Sequence, residues 1–87
     1  MEAFLKPIKI KILYDKELEK ITGNASEEAM VSDRIRFVNM LDFIFTSYPR
    51  IKKTYPPGKL GLLLNNQPPK DSDVLQDGDE IILKTVE

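Results

Sequence analysis

The stretch VLQDGDEIILKTVE, residues 74–87, decides the fold. Its DGD segment, residues 77–79, has the composition of a tight turn, because Gly78 can adopt a positive φ at little cost. Residues 80–86 form the predicted last strand, with the apolar run IIL at its centre. A strand this near the end of a sequence can finish inside a sheet, or it can lead into a tail that carries chemistry.

Three more strands are predicted upstream. Residues 8–14 alternate apolar and basic side chains, which is typical of a half-buried strand with its isoleucines and Tyr14 pointing inward. Residues 25–31 form a weaker strand, expected at an edge. Residues 60–64 (LGLLL) form a third strand, followed by an NNQ turn whose asparagines tolerate positive φ. Because the first and last strands are the most apolar, we place them in the centre of the sheet.

One long helix is predicted, over roughly residues 33–48. Ser32 and Asp33 can cap its start, with the acidic charge at the positive end of the helix dipole. Pro49 should end it, because a residue before proline is biased away from helical geometry. Apolar residues recur at three- and four-residue steps, as expected for a face packed on a sheet. They are Ile35, Val38, Leu41, Phe45 and Tyr48, with Phe37, Met40 and Ile44 widening the stripe.

These elements predict an α+β domain of two layers, a mixed sheet of four to five strands covered by one main helix. Residues 15–23 are expected to form one or two helical turns closed by Gly23. Residues 51–59 are expected to be a connection, since they contain a Pro-Pro-Gly turn signal. The chain has 87 residues, and we expect a single domain over residues 1–87.

The composition excludes several kinds of chemistry within this chain. The sequence has no cysteine and no histidine, which removes disulfides, thiolate nucleophiles, the commonest general base and the commonest transition-metal ligand. A formal net charge of −1 argues against a nucleic-acid binder. No apolar run approaches a membrane span, and the first residues contain no signal-peptide core, so a cytoplasmic protein is expected. We expect no enzyme activity, no cofactor and no metal site.

Two motifs at fixed spacing resemble a known family. Residues 62–67 (LLLNNQ) and residues 75–80 (LQDGDE) resemble the C-terminal half of the β-grasp sulfur carriers of the MoaD/ThiS family. These are ubiquitin-like proteins of molybdopterin and thiamine synthesis. Their pattern is a strand ending in V-N, a turn, L-x-D-G-D-E, a final strand and a Gly-Gly tail. The lysine-rich first strand and a helix ending in Tyr48-Pro49 are compatible with the same family.

The resemblance implies a β-grasp fold and a protein partner. Members of the family offer a C-terminal glycine carboxylate to an ATP-dependent adenylating enzyme and then carry sulfur as a thiocarboxylate. In this sequence Thr85 and Val86 occupy the place of the family's proline pair, and Glu87 stands where glycine is needed. Two functions therefore stay open: a small protein-binding module that does not carry sulfur, or a sulfur carrier whose tail is missing from this sequence. The implied partner is an adenylating enzyme or a larger synthase-type subunit, with no nucleic acid or membrane involved.

The resemblance also implies that the partner contacts the exposed sheet face beside the tail. The candidate partner-binding residues are Leu13, Leu63, Pro68, Lys84, Thr85, Val86 and Glu87. Simpler explanations exist for some of them. Leu13 and Leu63 can be partly buried strand residues, and Lys84 can be a solubilising lysine.

Overall fold

The computed structural model of the protein describes residues 6–56 and 58–86. In chain order the elements are β1 (Pro7–Tyr14), α1 (Lys16–Thr22), β2 (Ser26–Ser32), α2 (Phe37–Ser47), α3 (Pro49–Thr54), β3 (Leu60–Leu64) and β4 (Glu80–Thr85). Each strand lies within one residue of its predicted range. Helix α1 ends at Gly23, whose φ of 79° closes it in the left-handed conformation, as predicted.

The strands of the described residues form one four-stranded sheet with the order β2-β1-β4-β3. β1 runs parallel to β4 and antiparallel to β2, while β3 runs antiparallel to β4. The sheet is therefore mixed, with the first and last strands at its centre and β2 at an edge. This arrangement confirms the predicted α+β class.

One face of the sheet, called the inner face, packs against the helices and forms the core. Alternation along β1 and β4 produces this face, since successive strand side chains point to opposite sides. Each large apolar side chain buried here stabilises the fold by about 1.5–3 kcal/mol relative to leaving it exposed. The buried residues are Ile8, Ile10, Ile12, Tyr14, Leu18, Phe37, Met40, Ile44, Ile51, Leu75, Ile81 and Leu83.

The start of the long helix was predicted wrongly. Helix α2 begins at Phe37, not near residue 33. Ser32 is the last residue of β2, and the backbone N–H of Asp33 donates to the carbonyl of Lys6 at 2.9 Å. Arg34 then adopts a φ of 69°, which breaks any helical path between the strand and α2.

A distant loop satisfies the first turn of α2 in place of a capping side chain. The N-cap residue is Arg36, and no side-chain cap bond occurs there within the described residues. The N–H of Phe37 donates to the carbonyl of Asp73 at 2.8 Å, and that of Val38 donates to the carbonyl of Asp71 at 3.3 Å. The helix therefore begins where the chain meets this loop, a contact that a local capping signal cannot show.

The buried stripe of α2 is also shifted from its predicted centre. Phe37, Met40 and Ile44 are fully buried, whereas Leu41 and Phe45 of the predicted stripe are only partly buried beside them. The three buried side chains follow the i, i+3, i+7 spacing of a single helix face. The predicted amphipathic helix is confirmed, with its centre one position away from Leu41.

A short helix replaces part of the predicted connection at residues 51–59. Helix α3 begins at Pro49, which occupies a first-turn position where its missing N–H and fixed φ are favourable. Pro49 thus ends α2, as predicted, and also begins α3. The side chain of Ile51 is fully buried, which anchors α3 on the core. The inner face is therefore covered by α2 together with the short helices α1 and α3.

A cluster of two tyrosines and a carboxylate ties β2 to the end of α2. The Glu27 side chain accepts hydrogen bonds from the Tyr14 hydroxyl at 3.1 Å and from the Tyr48 hydroxyl at 2.6 Å. The two rings meet edge-on with centroids 6.1 Å apart. Burial, together with the Glu27 carboxylate, raises the pKa of Tyr14 above its ordinary value. The cluster therefore keeps the tyrosine hydroxyls protonated as donors.

The turns adopt the positive φ values predicted for them. Asn65 and Asn66 have φ of 52° and 66°, and Gly78 has φ of 90°. At Gly78 a Cβ would meet nothing within 4 Å among the described atoms, so a substitution there tests the backbone conformation alone.

We expect Gly78→Ala to lower the free energy of unfolding by about 1–2 kcal/mol, because a Cβ disfavours the left-handed region. Urea unfolding at pH 7 measures the change. Gly78→Asn is the matched control, since asparagine tolerates positive φ. Its free energy of unfolding should fall clearly less than that of Gly78→Ala. Equal losses for the two variants would contradict the φ argument.

Candidate functional site

Three apolar side chains form a row across the face of the sheet opposite the helices, called the outer face. Leu13 of β1 pairs with Ile82 of β4, and Leu63 of β3 pairs with the same Ile82 from the other side. All three are half-buried, and none is among the described side chains that pack against the core. Two of the predicted residues, Leu13 and Leu63, are thus brought together through a residue that the prediction did not include.

The end of β4 extends this row. Lys84 and Val86 follow Ile82 at alternate positions and lie over Gly61 of β3. A Cβ built on Gly61 would stand 3.2 Å from Cγ2 of Val86 and 3.3 Å from Cγ of Lys84. The bare glycine therefore lets both side chains fold down onto the sheet. Val86 remains 42% exposed, and Leu13, Leu63, Ile82 and Val86 are together called the outer patch.

Asp15 fixes the end of β4 to the start of α1. One of its carboxylate oxygens, Oδ1, accepts the backbone N–H of Leu18 at 2.9 Å and caps the helix. The other, Oδ2, accepts both the backbone N–H of Thr85 at 2.6 Å and its hydroxyl at 2.8 Å. The candidate residue Thr85 is therefore held by an internal contact, and its position sets the direction of the chain at Val86.

The electrostatic state of Asp15 follows from these bonds. Partial burial acts to raise its pKa, but the hydrogen bonds from Thr85 and Leu18 favour the charged form and outweigh it. The net effect holds the pKa of Asp15 below its ordinary value of 3.8. Asp15 is accordingly a charged carboxylate at neutral pH, and its bonds to Leu18 and Thr85 are called the clamp.

The remaining candidates do not join the outer patch. Pro68 is exposed and follows the turn after β3, which is bonded to Glu80 at the start of β4. Lys84 lies four residues further along β4. At a rise of about 3.3 Å per residue, roughly 13 Å of strand separates the two ends. Glu87 lies outside the described residues. Ile82 was missed, although alternation from the inward Ile81 already places it on the outer face.

Comparisons with known proteins identify the fold. The chain is similar in structure to the molybdopterin converting factor subunit 1 of Pyrococcus furiosus, with a TM-score of 0.80 and 17% identity over 92% of this chain and 99% of that chain. It is also similar to small archaeal modifier protein 1 of Haloferax volcanii (TM-score 0.75, 14% identity, 88% and 95% coverage). A ubiquitin from Caldiarchaeum subterraneum matches with a TM-score of 0.62 and 21% identity, covering 94% and 96%.

The chain has the ubiquitin-like β-grasp fold. This confirms the fold that the sequence resemblance implied. No family model matches the sequence of this β-grasp protein, and no curated protein matches it.

Polar and charged side chains surround the outer patch of this β-grasp protein. Lys9 and Lys11 lie on the outer face of β1. Glu28 of β2 lies opposite Lys11 and reaches diagonally to Lys9, with 3.9 Å between the ammonium and carboxylate atoms. Beyond them Met30 is 61% exposed at the edge strand. An apolar centre with a polar rim is the usual arrangement of a protein-binding surface.

Over residues 6–56 and 58–86, no group of three or more acidic side chains is placed to hold a metal ion. None of the helices described is both long and apolar enough to cross a membrane.

Proposed function

We propose that this ubiquitin-like protein is a small protein-binding module and that the outer patch is its contact surface. The observation that carries the proposal is the row formed by Leu13, Ile82 and Leu63. It is continuous across three strands, and no helix of the described residues lies over it. Apolar side chains gathered on an open face, with charges around them, favour association with another protein.

The residues at the end of β4 complete the proposed surface. Val86 adds exposed apolar area at the end of β4, and Lys84, which lies between Ile82 and Val86 along the strand, supplies a cation. Thr85 contributes indirectly, because its bonds to Asp15 hold the neighbouring residues in place. Such preorganisation favours binding, since less conformational freedom is lost on association.

The class of partner rests on the family resemblance. One structural neighbour is named as a subunit of a converting factor and another as a modifier protein, names that describe proteins acting together with others. We propose as partner an adenylating enzyme or a larger synthase-type subunit.

Ile82→Asp tests the proposed surface, because it places a charge at the centre of the patch without entering the buried core. We expect the affinity for the partner to fall at least about thirtyfold, the effect of a hot spot of about 2 kcal/mol. The wild-type chain is immobilised and proteins of the source cell are captured and quantified. The affinity of each purified adenylating or synthase-type candidate is then measured.

The control is Phe43→Asp on α2, a residue that is 50% exposed and outside the outer patch. This variant should bind as the wild type does. Nuclear magnetic resonance spectra must show that both variants are folded. Unchanged binding by Ile82→Asp, or an equal loss for Phe43→Asp, would contradict the proposed surface.

A further inference from the structure

A second surface lies on the opposite side of the sheet, beside β3. A cleft of about 210 Å³ opens there between the edge strand and the helices α2 and α3. Its lining is mainly apolar and aromatic, with a single cationic side chain. The lining residues are Phe45, Lys52, Tyr55, Gly58, Leu60 and Leu62. Its volume is of the order needed for one large apolar side chain.

The strand that borders the cleft has a free edge. The N–H of Val86 donates to the carbonyl of Lys59, and the N–H of Asn65 donates to the carbonyl of Glu80. Residues 59 and 65 therefore point their backbone groups toward β4. Because direction alternates along an antiparallel strand, the N–H and C=O groups of Leu60 and Leu62 point away from β4.

Nothing in the described part of the chain pairs with this edge at Leu60 and Leu62. Leu64 differs, because its N–H and C=O are bonded to Gln67 in the following turn. An edge strand with apolar side chains and unpaired backbone groups can accept another strand. Leu60 and Leu62 therefore combine two features: their backbone groups are unpaired, and their side chains line the cleft.

The charge beside the cleft indicates what kind of strand fits. The ammonium of Lys52 lies 5.6 Å from the centre of the Phe45 ring, at the cleft itself. Residues 49–60 carry four cationic side chains and no acidic one. The ion pairs found in residues 6–56 and 58–86 join Lys9 to Glu28 and Lys20 to Glu17, so none neutralises this segment.

We propose that the free edge of β3 binds an extended acidic peptide, which adds a strand at Leu60 and Leu62 and inserts one bulky apolar side chain into the cleft. Backbone hydrogen bonds would give affinity, and the cleft would select the side chain. The carboxylates of the peptide would face Lys52 and its cationic neighbours. A second copy of this chain fits less well, because two β3 edges would bring two cationic segments together.

The surface is separate from the outer patch, so the two can be tested independently. The probe is the acetylated and amidated peptide Asp-Glu-Val-Leu-Val-Asp-Glu, titrated into the full chain and followed by backbone amide signals. We expect saturable shifts at Lys52, Tyr55, Leu60 and Leu62, with the same affinity for Ile82→Asp as for the wild type. Affinity should fall with added salt, because the charges are exposed.

Two N-methylated probes test strand addition directly. In an added strand only alternate N–H groups face β3. One probe carries N-methyl groups on its two valines and the other on its leucine. Exactly one of them should bind about tenfold more weakly, and the other should bind like the parent peptide. Equal affinities for all three probes would overturn strand addition.

The role of charge is tested by Lys52→Glu, which should lower the affinity for the parent peptide roughly fivefold. Lys70→Glu is the matched control, since it reverses an exposed lysine in the loop after β3 and should leave affinity unchanged. Equal weakening by the two variants would overturn a specific role of Lys52. Three other results would overturn the proposal: no shifts at millimolar peptide, shifts confined to the outer patch, or concentration-dependent shifts at Leu60 without peptide.

Discussion

Replacing Phe37 with alanine is expected to lower the free energy of unfolding by about 3–5 kcal/mol. The side chain is 1% exposed and packs at the start of α2 against the inner face of the sheet. Removing the ring leaves a cavity that neighbouring side chains fill only in part. A domain of this size has a total stability of roughly 4–13 kcal/mol, so the loss is a large share of it. Urea unfolding monitored by circular dichroism measures the change.

Phe43→Ala on the same helix is the control. Its side chain is half-exposed, and the expected change is within about 0.5 kcal/mol, as for other surface substitutions. Phe37→Leu keeps an apolar side chain and should lose less than Phe37→Ala, so it gives a measurable value if the alanine variant does not fold. Similar losses at positions 37 and 43 would show that the buried face of α2 is assigned wrongly.

Replacing Asp15 with alanine is expected to lower the free energy of unfolding by about 2–4 kcal/mol at pH 7. The change removes the cap of α1 and leaves both donors of Thr85 without their carboxylate. Asp15→Asn can still cap the helix, so it should lose less. Thr85→Val removes only the hydroxyl bond and should have the smallest effect. A loss below about 0.5 kcal/mol for Asp15→Ala would contradict the clamp.

The same clamp predicts a dependence of stability on pH. The pKa of Asp15 in the folded chain is lower than its ordinary value of 3.8, so the charged form is favoured by folding. Its contribution to stability is complete above the ordinary pKa and is lost as the pH falls through the lower, folded value. Stability measured from pH 7 down to pH 2 should therefore fall more steeply for the wild type than for Asp15→Asn. Parallel curves would contradict the lowered pKa.

Local signals in the sequence predicted the strands and turns well. The alternation in β1 fixes its inward side chains, and the Gly78 turn depends on one residue that tolerates positive φ. The start of α2 was different, because its first N–H groups bond to the carbonyls of Asp71 and Asp73, more than thirty residues away. Helix α3 was missed since its six residues bury one side chain, Ile51, which is too little to show a period.

The candidate site was predictable only in part. The alternation of side chains is enough to predict that Leu13 and Leu63 lie on the outer face. That they both lie beside Ile82 follows only from the strand order and register. Pro68 was included because of its place in a motif, and the structure puts it toward the other end of β4. The cleft at β3 could not be predicted, since Phe45 and Leu60 come together only when α2 packs beside the edge strand.

The parallel pairing of β1 with β4 has a mechanical consequence. Lys11 pairs with Glu80 and Tyr14 with Leu83, so the two strands run side by side in the same direction. A force that pulls the start of β1 away from the end of β4 acts along both strands and loads their hydrogen bonds together, in shear. The bonds from Thr85 to Asp15 lie at the end of this pairing and share the load. If a partner bound at the end of β4 were pulled, the hydrogen bonds between β1 and β4 would therefore have to break together, because none of them carries the load alone.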